Sequence, residues 1–118
     1  MSLIRVEKNR GKSFDYQLKD ANGTVQQISS NDALRVIIGR ESQLGNNNAN
    51  AKLVITETAT ANGSVITRNV SSNTHRVRFD ASDLNFVGVY TAFFDYQNAA
   101  DGSEWKTIDR QVFAVEET

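Results

Sequence analysis

Apolar and polar residues alternate in twos along most of this chain, and turn-forming residues interrupt the alternation at short intervals. That period puts one face of each segment against a core and the other toward water, the pattern of half-buried strands. Ile4 to Lys8 predicts a short first strand, and Arg10-Gly11 a break. Ser13 to Lys19 predicts a second, with Phe14, Tyr16 and Leu18 on one face and Asp15, Gln17 and Lys19 on the other. Asp20-Ala-Asn22-Gly23 reads as a hairpin turn, because Asn-Gly tolerates positive φ, with Thr24 to Ile28 as the return strand. Ser29 to Asp32 reads as a loop or a single helical turn.

Ala33 to Arg40 predicts a strand buried on both faces at Val36, Ile37 and Ile38. Gln43 to Asn50 is a polar loop. Lys52 to Glu57 and Val65 to Val70 are the next strands, joined by a second hairpin turn at Asn62-Gly63. After a turn at Ser71 to Thr74, Arg76 to Asp80 points Val77 and Phe79 inward. Asp80 to Leu84 predicts one helical turn capped by Asp80. Gly88 to Gln97 is the longest alternating run, and Trp105 to Val115 closes the chain after a third hairpin turn at Asp101-Gly102. No helical period is long enough for a parallel crossover, so an antiparallel β-sandwich is expected, with a small barrel as the alternative.

The segment Leu84-Asn-Phe-Val-Gly88-Val-Tyr90 refines this reading. The form Leu-x-x-x-Gly-x-Tyr leading into a strand is that of a tyrosine corner in an immunoglobulin-like sandwich, where the hydroxyl bonds to backbone just upstream. The cysteine expected two residues after the Tyr is replaced by Ala92, and the chain has no cysteine. The predicted fold is therefore an all-β, two-sheet, immunoglobulin-like sandwich with a tyrosine corner (Leu84, Gly88, Tyr90) and no disulfide. At 118 residues one domain is expected, with Met1 to Leu3 read as a remnant of cloning.

Charge and chemistry narrow the function by exclusion. A net charge of −1 without a basic stripe argues against nucleic acid, and no apolar run approaches the length of a membrane span. The first dozen residues are basic and the last few acidic, which reads as solvated ends or a head-to-tail contact. The single histidine, His75, lies in a polar turn and is expected on the surface, without ligand role. Asp20-x-Asn22-x-Thr24 lacks the spacing of a calcium loop, and Asp80 and Asp83 are better explained by capping than by a shared cation. No catalytic residues, metal or cofactor are expected. Phe14, Tyr16, Tyr90, Phe94 and Tyr96 read as core. Trp105, beside Glu104 and Lys106, is the aromatic best placed for a binding surface, together with Gln43, Asn46 and Asn47 of the polar loop. The chain also lacks proline, so its strand edges need shielding by charge, twist or a partner.

Three features in order carry a family resemblance: Arg10-Gly11 before the first cleanly alternating strand, Asp20-x-Asn22-Gly23 after it, and Leu84-x-x-x-Gly88-x-Tyr90 leading into a late strand. Over about residues 5 to 115 the chain resembles the N-terminal, immunoglobulin-like domain of phage baseplate upper proteins and related tail modules. It departs from them in having Lys12 where an acidic residue commonly comes after Arg-Gly, and in lacking a proline in the return strand. The resemblance implies a non-enzymatic virion structural protein of a phage tail or baseplate, whose partners are other virion proteins, with self-association into a homo-oligomer left open. The alternative is a secreted or cell-surface immunoglobulin-like adhesive domain that binds carbohydrate or protein.

Overall fold

The computed structural model describes residues 3–40, 51–98 and 105–117. Eight strands lie among them: β1 (Leu3–Glu7), β2 (Lys12–Tyr16), β3 (Ala33–Gly39), β4 (Leu53–Thr56), β5 (Val65–Ser71), β6 (Thr74–Phe79), β7 (Gly88–Gln97) and β8 (Trp105–Glu116). They form a five-stranded sheet of order β1-β8-β7-β3-β4 and a three-stranded sheet of order β2-β6-β5. The chain is thus an all-β, two-sheet sandwich. Its strand order is that of an immunoglobulin-like domain, with β2, β6 and β5 facing β8, β7, β3 and β4. One pair departs from the antiparallel expectation: β1 runs parallel to β8, with Ile4 opposite Phe113 and Val6 opposite Val115.

That parallel pair arises from where the chain turns. After β1 it swings at Asn9, whose φ is 62°, and its amide donates to the Leu84 carbonyl. Gly11 passes so close to β6 that a Cβ there would sit 3.2 Å from the Phe79 carbonyl oxygen. The Arg10-Gly11 break is therefore where the chain leaves one sheet for the other. The basic start and acidic end lie side by side as a result, and Lys8 Nζ comes within 3.9 Å of Glu117.

Two of the three expected hairpins take another form. The Asp20 turn is made, with the Asp20 carboxylate accepting from the Asn22 and Thr24 amides and Gly23 at φ 83°. Yet Thr24 to Ile28 keeps only an isolated bridge, Lys19 to Val25, because the chain must leave β2 to reach β3 in the opposite sheet. The Asn62-Gly63 turn likewise joins strands of different sheets, since β4 pairs with β3 and β5 with β6. Asp101-Gly102 lies outside the described residues, although the strands flanking it, β7 and β8, pair antiparallel from Gly88–Val115 to Gln97–Trp105.

Aromatic rings join the sheets. Phe14 and Tyr16 of β2 meet Phe94 of β7 with centroids 6.2 and 4.9 Å apart, and Phe79 of β6 meets Phe113 of β8 at 5.1 Å. Val36, Ile38, Ala92, Phe94 and Phe113 are fully or almost fully buried, and Ile37 on the opposite face of β3 is buried too. The proline-free edges are blunted by other means. β1, β2 and β4 are only five, five and four residues long. The fourth edge, β5, loses register after Thr67, near Asn69 at φ 53°.

The corner is formed as expected. Leu84 is fully buried, and the Tyr90 hydroxyl donates to the Val87 carbonyl at 2.9 Å. Phe86 meets the Tyr90 ring edge-on at 5.2 Å. Gly88 sits at φ 134°, and a Cβ on it would lie 3.1 Å from the Tyr90 hydroxyl and ring. Tyr90→Phe is expected to cost about 1 kcal/mol, a lost internal hydrogen bond. Gly88→Ala should cost more, about 2 kcal/mol, from positive-φ strain and displacement of the ring. Urea unfolding of both variants checks this, and unchanged midpoints would dissolve the corner assignment.

Candidate interaction surface

Side chains alternate along β7, so the residues that flank the core positions form the outer face of the five-stranded sheet. On β7 these are Val89, Thr91, Phe93 and Asp95, continued by Arg35 and Ile37 on β3, by Val112 and Ala114 on β8, and by Leu3 and Arg5 on β1. This face divides along its length. One end is polar, the middle is closed, and the other end is apolar and open.

At the polar end Asp95 is 4% exposed. Both its oxygens are used: Arg35 donates through Nε and Nη2 to Oδ2 at 3.0 and 2.7 Å, and the Thr107 hydroxyl donates to Oδ1 at 2.8 Å. The Arg35 guanidinium also lies over the Trp105 ring, 4.2 Å from its centroid. Trp105 is half-buried, and one ring face is already occupied by this cation. In the middle, Arg110 stands over Phe93 at 5.4 Å, and Phe93 and Ile37 are 6% and 2% exposed.

The apolar end is open. Val89 is 64% exposed, Leu3 49%, and Val87, just before β7, 45%. A shallow groove of about 350 Å³ runs between Leu3, Arg5, Val89, Val112, Ala114 and Glu116. The alternation of Gly88 to Gln97, with Tyr90, Phe94 and Tyr96 read as core, leaves Val89 on the other face of the strand but does not single out this patch. The signal was there in part, since Val87 and Val89 stand in the register opposite to Tyr90. What the sequence lacked was the pairing that puts them beside the equally apolar Val112 and Ala114.

Gln43, Asn46 and Asn47, proposed to share a surface with Trp105, lie outside the described residues. The surface assignment of His75 is overturned. It belongs to β6, is fully buried, and faces Tyr16 across the β2–β6 pair, with ring centroids 5.7 Å apart. The polar residues around it suggested a turn, but the turn ends at Thr74, and His75 takes the inward register of Val77 and Phe79. Its Nδ1 accepts from the Asn69 amide at 3.1 Å, so the neutral ring carries its proton on Nε2. Nε2 and the Tyr16 hydroxyl are buried side-chain atoms without a hydrogen-bond partner among the described residues. Burial, and then the positive charge of Arg68, hold the His75 pKa below its ordinary value, with Glu57 opposing. Burial, with Glu57 adding, pushes the Tyr16 phenol up.

The acidic residues are absorbed by structural ties. Arg68 bonds both Glu57 oxygens and reaches the Ser29 and Asp32 carbonyls. Asp83 accepts from Thr60, Asn62 and the buried Ser64 at 2.7, 2.8 and 2.5 Å, which ties the β4–β5 connection to the helical turn at Ala81–Asp83. Desolvation acts against these bonds, but together they hold the Asp83 carboxyl below the usual range. The Asp80 carboxylate caps the same turn through the Ser82 amide and pairs with Arg78, so the two carboxylates serve separate partners, while the Asp80 amide donates to the Ser64 hydroxyl that Asp83 also binds. Among the described residues no group of three or more His, Cys, Asp and Glu side chains is placed to hold a metal. No protein-family model matches the chain, and no curated protein matches it.

The sign of the His75 effect is testable. Its folded-state pKa lies below its unfolded value of about 6.5, so the unfolded chain binds the extra proton first. Stability should be full above about pH 6.5 and should fall as pH drops below it. Losses from Asp83 belong to a lower window, below its ordinary value of 3.8. Urea midpoints at pH 7.5 and 5.5 check this: the wild type should lose stability between them, and His75→Gln should flatten that slope. An equal slope in both proteins would refute the assignment.

Proposed function

We propose that this chain is a non-enzymatic structural module of a phage tail or baseplate, engaged in protein–protein assembly within the virion. The identity of the assembly rests on the resemblance carried by Arg10-Gly11, the Asp20–Gly23 turn and the Leu84, Gly88, Tyr90 corner. The observation that carries an assembly role is the open apolar end of the sheet face around Val89, Val112 and Ala114. Contiguous exposed apolar surface rimmed by charge marks protein interaction sites. The polar groups elsewhere support the same reading: Asp95, Asp83, Glu57 and Ser64 each serve hydrogen bonds that brace the sandwich.

The second reading, a secreted or cell-surface adhesive domain, is favoured by Trp105, whose half-buried ring offers a stacking surface for carbohydrate. The cation over that ring weighs against it.

Mass spectrometry of purified particles from the phage that encodes this chain tests the first reading. The chain should be recovered in particles at a constant ratio to tail subunits. Its absence from particles, combined with glycan binding that Trp105→Ala abolishes, would transfer the case to the adhesive reading.

A further inference from the structure

The register of β1, β8 and β7 arranges their outward side chains as a grid. Leu3, Val112 and Thr91 form one row, Arg5, Ala114 and Val89 the next, and Glu7 and Glu116 begin a third. The small residue, Ala114, is at the centre. Arg5 and Glu116 are both exposed, and neither side chain has an ion-pair or hydrogen-bond partner among the described residues. Glu7, by contrast, is already paired with Arg10 at 3.1 Å.

From this grid we infer that the face is an isologous homodimer contact, covered by the same face of a second copy of this chain. A two-fold axis lying in the interface and running diagonally across the sheet, from Thr91 through Ala114 to Glu7, makes the patch complement itself. It sets Val112 against Val89 of the partner subunit, and Arg5 against Glu116 of the partner subunit, each twice by symmetry. The strands of the two copies cross at a large angle, as in orthogonal sheet packing. Ala114 on the axis lets the two backbones approach. The unpaired charges argue for a second copy over a foreign partner. One positive and one negative group stand as mirror images across that diagonal, so the face carries both halves of each ion pair.

The contact stands independently of the virion reading. A chain missing from particles can dimerise, and a monomer can be present in them. Sedimentation equilibrium of the purified chain over about 10–500 µM tests it. The wild type should pass from monomer to dimer in that range. Val89→Lys should abolish the dimer while leaving the thermal melt in place. Arg5→Glu and Glu116→Arg should each weaken it by about tenfold or more, and the double exchange should restore it to within about threefold. Should Val89→Lys fail to fold, Val89→Thr keeps a strand-forming residue and should still weaken association. A chain that stays monomeric throughout leaves the face to a different protein and overturns the inference. A dimer indifferent to Val89, or one the double exchange does not restore, overturns it equally.

Discussion

The bond from the Tyr90 hydroxyl to the Val87 carbonyl anchors the start of β7, and the sidedness of the molecule depends on that strand. β7 pairs with β3 on one side and β8 on the other, and carries the five-stranded sheet between them. Because strand side chains alternate, a slip of one residue would send Tyr90, Ala92, Phe94 and Tyr96 to the outer face and bring Val89, Thr91, Phe93 and Asp95 into the core. A buried aspartate without Arg35 and Thr107 would make that register very costly. The corner therefore sets the register that fills the core, and the same register presents the open apolar face. Gly88 makes it possible, since a side chain there would displace the ring it supports.

With no disulfide between its layers, the sandwich relies on ring contacts across the gap. Phe14–Phe94, Tyr16–Phe94 and Phe79–Phe113 each join one sheet to the other. Such pairs contribute about 0.5–1.5 kcal/mol each beyond their area burial. Three of them together are comparable to the roughly 2–4 kcal/mol of a disulfide. Polar ties hold the margins. Arg68 joins Glu57 to the backbone that leads into β3, and Asp83 gathers the β4–β5 connection onto the turn before the corner. Both hold segments where the chain changes sheet and the ladder cannot.

The outer face differs sharply between its two ends. At the polar end Asp95 is matched by Arg35 and Thr107, and Trp105 is partly covered by the same arginine. Around Val89 the surface is apolar, and its flanking charges, Arg5 and Glu116, have no side-chain partner among the described residues. The charged groups that brace the sandwich, Asp95, Asp83 and Glu57, are held by partners in the chain, whereas this end keeps its apolar side chains exposed.

Local chemistry determined a good deal of this protein. Alternation is a property of each strand alone, so the inward faces of β6 and β7, the double burial of β3 and the cap at Asp80 could all be read directly. The corner was legible because its partners, Val87, Gly88 and Tyr90, are near neighbours in the chain. Partnership between distant segments was not. Whether a turn closes a hairpin or carries the chain to the other sheet depends on which strand the next segment pairs with. Asn62-Gly63 looks the same in both cases. The parallel pairing of β1 with β8, the burial of His75 against Tyr16 and the patch shared by Val89, Val112 and Arg5 all join residues far apart in sequence. The register between strands settled these, because non-local contacts are chosen by the packing of the whole core and no single segment encodes them.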